Sequence, residues 1–75
     1  MVLKIGTRGS FTVADLRDAS RVFGRERDDS GEGYSTWPDG YVWTKGKRTH
    51  RVSYNGRVWK GAVVVQEAVY GQGVQ

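Results

Sequence analysis

The chain opens on a short apolar run, passes through a stretch with helical spacing, loses its period in the middle and alternates again in its second half. Val2-Leu3-Lys4-Ile5 has the pattern of a brief strand. Gly6-Thr7-Arg8-Gly9-Ser10 then breaks it, because glycine and small polar residues favour turns. A helix is predicted from Thr12: Leu16, Ala19, Ser20 and Phe23 share one face, Val13 and Val22 flank it, and Asp15, Arg17, Asp18 and Arg21 lie mostly elsewhere. Thr12 is the expected cap, accepting from the N–H near Asp15, which itself adds negative charge to the electropositive first turn. Phe11 and Leu16 have the spacing of a hydrophobic staple. Gly24 is the expected terminator.

Residues 25–40 are charged, glycine-rich and aperiodic, and read as a loop with room for one extra helical turn at its start. Trp37-Pro38-Asp39-Gly40 closes it with turn chemistry. From Tyr41 onward strands are expected: Tyr41 to Thr44, Arg48 to Tyr54, Arg57 to Lys60, and Ala62-Val63-Val64-Val65, whose continuous β-branched run suits a more buried strand. Asn55-Gly56 is the strongest hairpin signal, since both residues tolerate the positive φ of a type I′ turn. A two-residue turn there pairs Tyr54 with Arg57, Ser53 with Val58, Val52 with Trp59 and Arg51 with Lys60. Alternation then places Val52, Tyr54 and Trp59 on one face. A similar turn at Lys45-Gly46 adds Tyr41, Trp43 and His50 to it. That aromatic face is expected to pack on the helix, leaving Thr49, Arg51, Ser53, Val58 and Lys60 outside. The tail Gly71 to Gln75 is expected to fray.

These elements predict one α+β domain over residues 1–75: an amphipathic helix on a twisted antiparallel sheet of three to five strands, β-α-β-β-β, with a curl toward a barrel as the alternative. A chain of 75 residues leaves no room for a second domain. Three Trp, four Tyr and two Phe supply large buried area where aliphatic residues are few. The absence of Cys excludes a disulfide scaffold, a thiolate zinc finger and a thiol nucleophile. No apolar run is long enough to span a bilayer, and Met1 to Ile5 lacks the apolar core of a secretory signal, so no membrane partner and a cytoplasmic location are expected.

Net charge is +4, and it is unevenly spread. Lys45, Lys47, Arg48, Arg51, Arg57 and Lys60 give residues 41–66 a local +6 with no acid, whereas residues 1–40 balance to −1. Lys and Arg neutralise phosphates, hydroxyls add contacts, and a two-stranded ribbon fits the major groove. Those six residues are therefore the candidate phosphate contacts, with Arg48 and Arg51 the candidates to read bases through bidentate contact with guanine. The bland alternative is a solvated sheet face kept soluble by its charge. Base stacking becomes available if a ring such as Trp43 is exposed.

Other motifs are weaker. Gly6 to Ser10 precedes a helix, as anion-binding turns do, but lacks the Lys and spacing of a phosphate loop and the three spaced glycines of a dinucleotide fingerprint. Asp28-Asp29-Ser30-Gly31-Glu32 clusters oxygens without the full spacing or the distant bidentate Glu of a calcium loop. His50 is the only His and has no predicted catalytic neighbour, and the carboxylates of Asp28 and Asp29 sit on the expected loop. No enzyme, cofactor or metal is expected.

The segments RDDSGEGYSTWPDG and RVSYNGRVW, about the central half of the chain, resemble small uncharacterised proteins encoded by bacteriophages and prophages. The resemblance carries no site residue. It implies a short accessory protein that binds nucleic acid or blocks a host protein, in the host cytoplasm. The leading expectation is thus a non-enzymatic nucleic-acid-binding or regulatory module using the cationic hairpin. The alternative is a protein-binding accessory factor, an inhibitor or assembly protein, whose host or phage partner meets Tyr34, Trp37, Asp28, Asp29 and Glu32, with the two rings as anchors. A third reading is self-association through Val63 to Val65 as an edge strand; a monomer or a small homo-oligomer is expected.

Overall fold

The N-terminal apolar run forms an interior strand of the sheet. The computed structural model describes residues 1–69, so the expected fraying of Gly71 to Gln75 lies outside the described residues. The elements are β1 (Val2–Ile5), β2 (Ser10–Thr12), α1 (Leu16–Ser30), β3 (Gly40–Thr44), β4 (Lys47–Val52), β5 (Val58–Lys60) and β6 (Val63–Gln66). They build one six-stranded sheet in the order β2-β1-β3-β4-β5-β6, every neighbouring pair antiparallel, with α1 packed on one face. The α+β class is as expected; the sheet has more strands than expected and does not close into a barrel.

The unforeseen strand is β2. The Arg8 N–H donates to Ile5 O at 2.7 Å and the Ile5 N–H to Gly9 O at 3.0 Å, which folds Ser10–Thr12 back along β1. Thr12 is therefore a strand residue, and the helix starts later. Asp15 is its N-cap, accepting from the Asp18 N–H at 2.8 Å, while the Asp18 carboxylate accepts from the Ala14 N–H at 2.9 Å. The capping logic expected at Thr12 and Asp15 operates three residues on. Phe11 and Leu16 both pack against the core, though not at staple positions.

Gly24 does not end the helix. A glycine inside a helix costs about 1 kcal/mol relative to Ala but breaks no hydrogen bond. The helix runs to Ser30 and is capped by Gly31, whose φ of 71° is left-handed and whose N–H donates to Asp28 O at 3.3 Å. Asp28 and Asp29 are thus helical, contrary to the loop expected there. The last turns lack an apolar signal because Arg27 takes the core-facing place. It is buried, donates to Tyr54 O at 2.6 Å, and lies 5.3 Å from the Tyr54 ring centroid.

Beside a one-residue register shift between β5 and β6, two one-residue irregularities set the faces of β3, β4 and β5. Lys45 (φ 53°) and Gly46 (φ 78°) form the two-residue turn with both φ values positive, and pair Thr44 with Lys47 and Trp43 with Arg48. Thr49 is then an extra residue, a β-bulge, so that Val42 faces His50 and Tyr41 faces Arg51. At Asn55-Gly56 the loop is one residue longer than expected. The Gly56 N–H donates to Ser53 O at 2.8 Å and the Ser53 N–H to Arg57 O at 3.0 Å, while only Gly56 takes a positive φ, 94°. Three residues, Tyr54 to Gly56, join the strands, and Val52 pairs with Val58 and Arg51 with Trp59.

A register slip of one residue exchanges the faces of a strand. The expected aromatic core face is accordingly corrected. Leu3, Ile5, Val42, Val52 and Val58 are buried beneath Ala19, Val22 and Phe23 of α1, with Val13 and Trp37 completing the core. Tyr54 stays on this side as expected. Tyr41, Trp43 and Trp59 lie on the other face, and Val58, expected outside, is core. Gly40 is where the Phe23 side chain of the helix packs directly on the sheet backbone: an added Cβ would stand 2.9 Å from Phe23 Cδ2 and 3.0 Å from Leu3 Cδ1. The valine run is an edge strand instead of a buried one, with Val63 63% and Val65 44% exposed.

Candidate nucleic-acid interface

The face of the sheet away from α1 carries a row of side chains that crosses all six strands: Ser10, Lys4, Tyr41, Arg51, Trp59 and Val64. A second, shorter row holds Thr12, Val2, Trp43 and Arg48. The Thr49 bulge makes this arrangement. Residues three apart on a regular strand point to opposite faces, so the extra residue is what brings Arg48 and Arg51 to the same side. Thr49 itself donates its hydroxyl to Val42 O at 3.2 Å and lies 2.8 Å from His50 Nδ1.

Each ring on this face carries a cation. Lys4 Nζ lies 4.5 Å from the Trp43 ring centroid, the Arg48 guanidinium 4.6 Å from that of Tyr41, and the Arg51 guanidinium 5.4 Å from that of Trp59. All three rings are half-buried, with their cations lying over them. The Trp59 indole N–H donates to Ser53 Oγ at 2.9 Å, and that hydroxyl also donates to Asn55 Oδ1 at 2.7 Å. The β4–β5 loop therefore fixes the tilt of the Trp59 ring. Between Tyr41, Arg48, Arg51 and Trp59 lies an open cleft of about 240 Å³.

The six cations singled out in the sequence do not form one uniform patch. Arg48 and Arg51 are on the open face; Lys45 and Lys47 are exposed at the β3–β4 turn. Arg57, beside the β4–β5 loop, is paired with Glu67 at 3.0 Å. Arg51 contacts Asp39 at 3.3 Å, an acid just outside the acid-free segment that the fold returns to its edge. Lys60 follows Trp59 on β5 and so falls on the helix side, next to His50. Among the described residues, Lys4, Lys45, Lys47, Arg48 and Lys60 have no carboxylate within ion-pair distance. Burial, and then the nearby charge of Lys60, push the His50 pKa below its ordinary value, which favours the neutral ring. Lys4 is the cation of the site that sequence reasoning missed, beside the three rings it assigned to the core. Its signal was the alternation of the first strand, which puts it opposite Leu3 and Ile5, but the pairing of β1 with β3 is long-range.

The alternative protein-binding set lacks its expected pair of exposed ring anchors. Trp37 is only 6% exposed and packs edge-on to Phe23 with ring centroids 6.2 Å apart, so it is no surface anchor. Tyr34 is 79% exposed and meets Tyr54 edge-on at 5.7 Å. Glu32 is held by Arg8 through both carboxylate oxygens, the Nη2 to Oε1 bond being 2.8 Å. Hydrogen bonding from Arg8 holds the Glu32 pKa below the usual carboxylate range and raises that of Arg8. Asp28 pairs with Arg27 at 3.0 Å, and Asp29 is exposed at the helix end.

No protein-family model, curated protein or solved structure matches this chain. Among the described residues there is no cluster of His, Asp and Glu fit to hold a metal ion, and no helix long and apolar enough to cross a membrane.

Proposed function

We propose that this chain is a small nucleic-acid-binding module that uses the open face of its sheet. The observation that carries the reading is the set of three ring–cation pairs, Lys4 with Trp43, Arg48 with Tyr41 and Arg51 with Trp59, on the face that the helix leaves uncovered. Cations supply phosphate contacts and release counterions, and flat rings supply base contacts; nucleic acid is the common polymer that offers both a phosphate and a π-face at every unit. The exposed cations of the β3–β4 turn extend the positive surface beyond the rings. The role assigned is binding, with no reaction and no cofactor.

The test is fluorescence anisotropy of labelled DNA and RNA titrated with the full chain at low and moderate salt. Saturable binding that weakens steeply with salt is expected, because each phosphate neutralised adds ~0.7–0.9 to the log–log slope. Replacing Lys4 and Arg48 together by Ala should weaken binding and flatten that slope, with the thermal transition little changed. Absence of binding at low salt overturns the proposal.

A further inference from the structure

We infer, on the nucleic-acid reading above, that the target is a single strand, and that the cleft between Tyr41 and Trp59 receives an unpaired base. The geometry argues against a duplex. A two-stranded ribbon enters a major groove ~12 Å wide, whereas six strands at ~4.8 Å spacing span about 24 Å. The basic hairpin β4–β5 is flanked by β3 on one side and β6 on the other, so it is no free ribbon. A broad sheet meets an undistorted duplex at its outer phosphates and reaches bases only by bending it and opening the minor groove, so an undistorted duplex leaves the rings without partners.

A single strand uses them. Tyr41 and Trp59 stand on β3 and β5 with the Arg51 strand between, two strand spacings or about 10 Å apart. The guanidinium groups of Arg48 and Arg51 lie over these rings, and both aromatic and guanidinium planes serve as stacking surfaces for unpaired bases. The cleft volume of about 240 Å³ is below the ~300–1,000 Å³ of pockets that enclose a drug-sized ligand. It suits one planar base lying open to solvent, with the sugar–phosphate chain continuing across the sheet. The polar groups nearby are largely committed: the Trp59 indole N–H to Ser53 and the Thr49 hydroxyl to Val42 O. What the cleft offers is guanidinium planes backed by rings, which stack on any base and read sequence weakly.

The test compares three labelled probes of equal length with the intact protein: a single strand, the same strand with abasic sites, and its duplex. Single strands are supplied as DNA and as RNA, and either sugar satisfies the inference. The expected result is at least tenfold tighter binding of the intact single strand than of the other two, with quenching of Trp fluorescence on binding. Trp59→Leu and Tyr41→Leu should each weaken single-strand binding roughly tenfold. Trp59→Phe, which keeps a stacking face, should stay within about threefold. Melting curves on each variant separate lost stacking from lost fold, and the abasic comparison needs no variant at all. Equal affinity for abasic and intact strands, or for duplex and single strand, overturns the inference while leaving phosphate binding in place. Failure of every probe to bind at low salt overturns both readings.

Discussion

Asp39→Asn should raise nucleic-acid affinity although it removes an ion pair. Asp39 holds Arg51 at 3.3 Å, both side chains half-exposed, beside the proposed base cleft. Exposed pairs of this kind contribute ~0.2–1 kcal/mol to stability. For a chain of 75 residues, unfolding entropy of ~2.1 cal/mol/K per residue makes 1 kcal/mol worth about 6 °C, so the melting temperature should fall by no more than that. The effect on binding has the opposite sign. A carboxylate ~6 Å from a phosphate repels it by about 0.7 kcal/mol at the dielectric constant of water, and its removal gives roughly threefold. Arg51, released, can neutralise one further phosphate, which steepens the single-strand salt slope by ~0.7 and takes the low-salt gain toward tenfold. Anisotropy titrations at several salt concentrations, with parallel melting curves, measure both. Affinity that is unchanged, or that falls together with stability, would refute the placement of the ligand beside Arg51.

Three further outcomes test the fold that presents this face. Gly40→Ala should destabilise by about 1–2 kcal/mol in urea, because crowding against Phe23 and Leu3 outweighs the ~0.4–1 kcal/mol gained through the unfolded chain, and the same substitution should cost no more than half as much in a Phe23→Leu background; additive effects would contradict the close approach. Ser20→Ala should cost about 1–3 kcal/mol, since the buried Ser20 Oγ donates to Gly56 O at 2.7 Å and accepts from the Val69 N–H at 3.1 Å, and both backbone groups would lose their partner. His50 has a folded pKa below its unfolded value of 6.5, so the unfolded chain binds more protons; stability should be full above pH 6.5 and decline as pH falls through and below it, and His50→Gln should flatten that slope between pH 7.5 and 5, where a slope left intact would assign it to other groups.

Local chemistry made much of the fold legible. The first strand, the amphipathic face of α1 from Leu16 to Phe23, and the strands after Tyr41 all follow from period, and the turn at Lys45-Gly46 falls where expected. The helix boundaries were less legible because tertiary partners decide them. Thr12 is drawn into β2 by pairing with Val2, and the last turns of α1 are held by Arg27 on Tyr54, a contact 27 positions away in the chain. Nothing in residues 25–30 alone announces it.

The candidate site shows how a small error in counting becomes a large error in chemistry. The basic strands and most of the cations are visible in the sequence, yet two-residue turns without a bulge put the rings in the core. Two single residues decide the matter: Thr49, the bulge, and the third residue of the Tyr54–Gly56 loop. An Asn-Gly pair permits a two-residue type I′ turn, but it serves equally well as the last two residues of a three-residue loop closed by one left-handed glycine. Asn55 favours the second arrangement here, because its side chain accepts from the Arg57 N–H at 3.0 Å and from the Ser53 hydroxyl. The same Ser53 hydroxyl receives the Trp59 indole N–H. The contact that lengthens the loop is thus also the contact that orients Trp59 on the open face. Register and binding surface have a common cause in Ser53 and Asn55, which is why a reading that shortens the loop by one residue buries the ring as well.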